Sequence, residues 1–167
     1  QFDDIVICEG VNAGDLGAAL VGRKLVAVQR KGKQLWFELG GSGTYKAVLF
    51  HFGMTGAFVV QGHAALKYQE FAVHDEQWPP KFCKLELRFA NGARLAFADP
   101  RRLGRVRLRT DPLSQPPISQ LAPDPLTGVH GPDLAAFTAA LRGTAAPIKA
   151  SLLDQGRAVC GVGNWVA

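Results

Sequence analysis

The run Phe97-Ala98-Asp99-Pro100-Arg101-Arg102-Leu103-Gly104-Arg105 puts two adjacent arginines and one apolar side chain on an Asp-Pro turn, between two strand-like segments. Arginine neutralises phosphate or fills a base-sized gap, and leucine can wedge between base steps. A turn holds such groups out from a sheet, where they can enter a duplex. Alone, the run supports only a basic β-turn, so its meaning depends on its company. His51 sits at the end of an apolar strand and reads as a hydrogen-bonded structural histidine. His63, His74 and His130 fall in loop-like sequence. No Ser/His/Asp arrangement, phosphate-cradling glycine loop or metal-ligand cluster is present in the sequence. Cys8, Cys83 and Cys160 are odd in number and far apart, which argues for buried free thiols rather than zinc or a disulfide framework.

The surrounding charge is uneven. Nine of the 19 basic residues lie between Lys81 and Arg109, against the acids Glu86 and Asp99. Such an excess fits an anionic partner, nucleic acid above all, and equally a solubilising surface. With 167 residues, 47% hydrophobic and 20% charged, the chain can bury a sizeable core and is not disordered in composition. No apolar run has the length of a bilayer span, and the start lacks a signal pattern, so the expectation is a protein that is not secreted.

The elements that must carry these residues follow from periodicity. Phe2 to Ile7 reads as a strand, and Asp15 to Val21 as a short helix with Asn12 as cap and Gly22 as stop. Leu25 to Gln29 and Gln34 to Leu39 flank the basic turn Arg30-Lys31-Gly32-Lys33 as a hairpin. Lys46 to His51 and Thr55 to Val60 continue as β-structure, and the pattern breaks from Gln61 to Pro80. Lys84 to Phe89 and Arg94 to Phe97 flank Asn91-Gly92, a strong hairpin signal. Arg105, Arg107 and Arg109 alternate with Val106 and Leu108, so period two gives a basic face and an apolar face. A proline-rich stretch then precedes helical signals at Asp133 to Leu141 and at Ile148 to Gln155 behind Pro147.

Four ordered segments now stand together: Gln29-Arg30-Lys31-Gly32-Lys33-Gln34-Leu35, His51-Phe52-Gly53-Met54-Thr55-Gly56, Asp99-Pro100-Arg101-Arg102-Leu103-Gly104, and Lys149 through Leu152-Leu153-Asp154-Gln155 to Gly161-Val162-Gly163-Asn164. Together they resemble the formamidopyrimidine-DNA glycosylase and endonuclease VIII superfamily over nearly the whole chain. The Lys81-Phe82-Cys83-Lys84 region and the ending at Ala167 look more like plant and fungal members. The resemblance implies a mainly β fold with some α: a two-sheet β-sandwich at 1–110, a Pro-rich linker at 111–132, and the start of a helix-two-turn-helix DNA-binding domain at 133–167.

For function, the resemblance implies base-excision repair. Oxidised purines (8-oxoguanine, formamidopyrimidine) are flipped out and removed, and the strand is cut by an associated AP-lyase step. Met54, Arg101 and Leu103 match the gap-filling set; Met54 and Leu103 read alone would be core residues. The family more often has Phe where Leu103 stands. Lys33 matches a lysine that supports the chemistry near the DNA backbone, although a solvated hairpin lysine fits the sequence too. Asn164 matches a phosphate donor at a helix start and, by itself, an ordinary cap. Lys149 corresponds to a lysine near the lesion pocket, and Arg102 serves either phosphate contact or packing.

The family's nucleophile is an N-terminal proline amine followed by a glutamate. The chain begins at Gln1 and is expected to be a fragment, inactive as it stands, of a bifunctional parent enzyme. No cofactor or metal is expected. The partner is double-stranded damaged DNA, the protein a monomer, and the compartment the nucleus if eukaryotic and otherwise the cytoplasm. The rival reading is a non-catalytic damaged-DNA-binding module; a basic RNA-binding β-domain would leave the ordered set of Met54, Arg101 and Leu103 unexplained.

Overall fold

The computed structural model describes residues 3, 5–63, 77–126 and 133–167. His74 and His130, and parts of the 61–80 and 111–132 segments, lie outside the described residues. Among the described residues, seven strands form a four-stranded and a three-stranded sheet. In chain order they are β1 (Lys24–Lys31), β2 (Gln34–Gly40), β3 (Ala47–His51), β4 (Ala57–Val60), β5 (Cys83–Arg88), β6 (Arg94–Ala98) and β7 (Arg105–Arg109). The sheet orders are β1-β2-β3-β7 and β4-β6-β5. The described residues also form helices α1 (Ala13–Leu20), α2 (Leu134–Arg142) and α3 (Ile148–Leu153), with a 3₁₀ turn at Ile118–Gln120.

The chain divides into two compact units that do not follow chain order: Gln1–Val21 with Phe50–Leu108, and Gly22–Leu49 with Arg109–Ala167. In the first unit, α1 starts at the expected cap. The Asn12 side chain accepts from the Asp15 N–H at 2.9 Å and the Asp15 carboxylate accepts from the Asn12 N–H at 3.1 Å, a reciprocal capping box. The Asn91-Gly92 hairpin forms as expected, with Gly92 at φ +85° and the Ala93 N–H donating to the Asn91 side chain. β4 and β5 pair antiparallel with either side of β6. The core of this unit is aromatic. Phe50 meets Phe58 and Phe97 edge-on with centroids 4.9 and 5.8 Å apart, and Phe52 meets the same two rings at 5.0 and 5.7 Å. Edge-to-face contact suits the ring quadrupoles.

The expected strand at residues 2–7 is absent from the described residues of that stretch. Val6 and Ile7 both donate to the Asp3 carbonyl, which closes a turn, and only Ile7 makes an isolated parallel bridge, to Val106. The apolar Ile-Val-Ile sequence favours a strand, but the local bonds to Asp3 win. The alternation in β7 holds, with Val106 and Leu108 buried and the arginines half-buried. Cys160 is buried, whereas Cys8 and Cys83 are only half-buried, contrary to expectation.

In the second unit, β1 and β2 form the predicted hairpin, running in register from Lys24↔Gly40 to Lys31↔Gln34 with one bulge near Val26. Trp36, Ala47, Leu49 and Ile118 cluster as its core, so the proline-rich stretch contributes a buried side chain. Gly143 caps α2 as expected. α3 stops at Leu153, two residues early, because the Asp154 carboxylate accepts from the Gly156 N–H and turns the chain.

Candidate nucleic-acid interface

Met54 sits on a tight turn after β3, closed by the Gly56 N–H donating to the Phe52 carbonyl at 2.7 Å. The Gly53 N–H donates to His51 Nδ1 at 3.2 Å, so that histidine has the structural role read from the sequence. Gly53 is at φ +60°, and a Cβ there would lie 2.7 Å from the Leu103 carbonyl carbon and 2.8 Å from Leu103 Cβ. Only glycine allows so close an approach. The two turns therefore touch, and Met54 and Leu103, separated by 49 positions in the chain, are brought together. Both stay open to solvent, at 71% and 40%. Arg101, on the same turn as Leu103, is exposed and makes no hydrogen bond or ion pair among the described residues.

The joint between the turns is Asp99, fully buried. Its carboxylate accepts from Thr55 Oγ1 at 2.7 Å, next to Met54, and from the Gly104 N–H at 2.6 Å, next to Leu103. A buried carboxylate needs such donors, because an unpaired one is expensive to hold away from water. Sequence reading saw Asp99 only as half of an Asp-Pro turn; the acceptor role of its carboxylate had no signal of its own.

Arg102 is at φ +57° and, unlike Arg101, is held by an acid. It donates to both oxygens of Asp3, at 2.8 and 2.9 Å, and Lys84 pairs with the same carboxylate at 3.0 Å. The Arg102 hydrogen bonds, with Lys84, hold Asp3 far below the usual carboxylate range despite partial burial. Packing, one of the two roles open to Arg102, is thus filled.

Most of the basic cluster is similarly engaged. Arg88 and Arg94 share Glu86, whose carboxyl is held down to about 2 by Arg88 first and then by the Trp78 indole N–H, against an upward push from burial. Arg107 pairs with Glu9, Arg105 donates to the carbonyls of Arg102 and Gly104, and Arg109 donates to the Pro116 carbonyl. The local charge excess is therefore less available to a partner than its count suggests.

A second group belongs to the other unit. Gly32, at φ +55°, turns the β1–β2 hairpin; a Cβ there would lie 2.9 Å from Cys160 Sγ and 3.2 Å from the Gly161 nitrogen. The hairpin tip is thus seated on the Cys160-Gly161 backbone. Asp124, in the proline-rich stretch, locks it by accepting from the Gly32 N–H at 2.6 Å, from Arg30 at 2.7 Å and from the Leu126 N–H at 2.8 Å. Burial pushes the Asp124 carboxyl up, but these three donors outweigh it and the net shift is downward. Lys31 is fastened as well, donating to the carbonyls of Ile118 and Leu121. Lys33 remains exposed, and its Nζ lies 3.7 Å from where a Cβ on Gly163 would be, beside exposed Asn164. After Asn164 the chain makes a helix-like turn, with the N–H groups of Val166 and Ala167 donating to the Gly163 carbonyl. Lys149 donates to the Ala167 carbonyl at 3.2 Å. No sequence signal marked Asp124.

Solved Fpg (MutM) structures share this fold. The Lactococcus lactis Fpg (MutM) structure, in complex with DNA containing N7-benzyl-Fapy-dG, aligns with a TM-score of 0.70 at 27% identity, over 90% of this chain and 50% of that one. MutM (Fpg) from Thermus thermophilus aligns with a TM-score of 0.62 at 33% identity, over 86% and 46%. By sequence, a formamidopyrimidine-DNA glycosylase of Arabidopsis thaliana is 39% identical over 166 residues, 99% of this chain and 41% of the relative. Residues 3–106 match the formamidopyrimidine-DNA glycosylase N-terminal domain, and the chain belongs to that family. It spans about half the length or less of the curated relatives it matches.

Proposed function

We propose that the whole protein excises oxidised purines, 8-oxoguanine and formamidopyrimidine lesions, from double-stranded DNA and then cuts the abasic strand as a lyase. The observation that carries this reading is the contact of the Gly53 turn with Leu103, which sets exposed Met54 and Leu103 on touching turns, with exposed Arg101 on the second of them. Among related structures, MutM has been solved with carbocyclic 8-oxo-G containing DNA and Lactococcus lactis Fpg with abasic-site DNA.

A base inside the stack is out of reach of a nucleophile, so the nucleotide must swing out and something must occupy its place. In this reading Met54 and Leu103 fill the hole, and Arg101, with no partner within the described protein, hydrogen-bonds the orphaned base. Lys33 and Asn164 hold the phosphate beside the extruded nucleotide, with Lys149 near the lesion, while Arg102 shapes the turn from its place on Asp3. Excision follows from attack of an amine on the sugar anomeric carbon with loss of the base. The resulting iminium acidifies the neighbouring proton and elimination cuts the strand. The proline amine and the glutamate that the family uses are not among these 167 residues, and Lys33 only supports the step by pairing with charge near the leaving group. Residues 1–110 then serve as the sandwich, 111–132 as the linker and 133–167 as the beginning of the helix-two-turn-helix domain. The protein acts as a monomer, in the nucleus of a eukaryote or the cytoplasm of a bacterium.

Two measurements test this. The chain should bind a duplex with an abasic site more tightly than the intact duplex, since only a gap-filler gains from a vacancy; equal binding overturns the reading. Borohydride reduction of the whole protein on 8-oxoguanine DNA should trap a covalent adduct. Retained abasic preference without an adduct would leave a damaged-DNA-binding module instead.

A further inference from the structure

Phe82 has no part in the function proposed above, and its setting is unusual. The residue is 47% exposed, although phenyl groups gain strongly from burial. Its backbone is at φ +64°, a region that bulky residues seldom occupy. The strand registers locate it. Cys83 and Ala57 both pair with Ala98, so Phe82, Asp99 and Gly56 follow one another at the same end of the three-stranded sheet. The Phe82 carbonyl accepts from the Asp99 N–H at 3.1 Å. The residue whose carboxylate joins the Met54 and Leu103 turns thus also fixes the strained backbone of Phe82. Lys81 holds its ammonium 5.0 Å from the ring centroid.

We infer that Phe82 and Lys81 form an additional DNA contact beside Met54, Arg101 and Leu103. The ring stacks on an unstacked base near the gap and the ammonium neutralises a neighbouring phosphate. This rests on the reading that the Met54–Leu103 group enters a duplex. Neither of those two side chains has a π-face, whereas an aromatic ring stacks on any base whatever its identity. A left-handed backbone at a bulky residue is retained where the surroundings impose it, and such positions cluster at functional sites.

The test uses fluorescence anisotropy on two duplexes, one with a tetrahydrofuran abasic analogue and one intact. Asparagine accepts left-handed backbone, so Phe82→Asn should melt no lower than wild type while binding the abasic duplex more weakly, on the order of tenfold. Phe82→Trp should keep the affinity, and Phe82→Leu, apolar without a π-face, should not. Lys81→Ala should weaken both duplexes alike and reduce the salt dependence by roughly one phosphate contact. Full affinity in Phe82→Asn, or recovery in Phe82→Leu, overturns the inference alone. A wild-type chain indifferent to the abasic site overturns it together with the function it rests on.

Discussion

The turn pair around Met54 and Leu103 and the hairpin tip around Lys33 both rest on an aspartate sheltered from solvent, yet the two supports differ in kind. Asp99 is held by a hydroxyl and a backbone N–H, both neutral. Asp124 is held by two backbone N–H groups and a guanidinium. Charged hydrogen bonds are stronger, and losing one partner of a sheltered ion pair leaves the other uncompensated. The hairpin tip is therefore the more firmly fixed support, whereas the Met54–Leu103 pair keeps its apolar side chains in water on the weaker one.

The sharpest way to break that contrast is to remove each carboxylate. Asp124→Ala strands Arg30 and two N–H groups and should lower stability by about 3 kcal/mol, read as a urea midpoint. Asp99→Asn, which turns an acceptor into a donor facing the Gly104 N–H, should lose less, about 2 kcal/mol. An equal or reversed order would refute the distinction. Gly53→Ala should lose about 2 kcal/mol, from its positive φ and the Leu103 backbone behind it, and should also abolish any abasic preference. Thr55→Val, which keeps shape and removes one donor, should lose about 1 kcal/mol, and Thr55→Ser should restore it.

Acid acts on Asp124 and on the Asp3 carboxylate that holds Arg102. Asp124 and Asp3 both titrate below ordinary carboxylates, so in acid the folded chain binds fewer protons than the unfolded one. Their contribution is complete above about pH 4 and is lost as pH falls through the folded values. Urea melts between neutral and strongly acid pH should show a shallower acid limb in Asp3→Asn than in wild type; an unchanged slope would remove Asp3 from the account. The smallest effect on folding is expected for Arg101→Ala, within about 0.5 kcal/mol, since nothing in the described protein holds that side chain. Its DNA affinity should nonetheless fall.

Strands and turns were legible because local chemistry decides them: the Asn91-Gly92 turn, the Asn12 cap and the alternation from Arg105 to Arg109 formed as read. Residues 3–7 misled because Ile-Val-Ile favours extension while the Asp3 carbonyl collects two N–H groups nearby. The basic cluster was legible only as a count. Composition cannot see that Asp3, Glu9 and Glu86 pair with five of its nine cations. At the candidate site, the residue types came from motif order, but the contact that unites Met54 with Leu103 depends on a missing Cβ, and the supporting Asp124 lies in a proline-rich stretch with no pattern to mark it.

The left-handed residue at Arg102 has a consequence for the arginine before it. The reversed backbone at that point leaves two chemically identical neighbours with different fates, one tethered to the Asp3 carboxylate and the other unclaimed among the described residues. Exchanging their duties is not open to the molecule. A lysine in the second seat would surrender the two-pronged grip that keeps the corner folded, and a lysine in the first would keep the corner intact but blunt whatever the outward guanidinium meets.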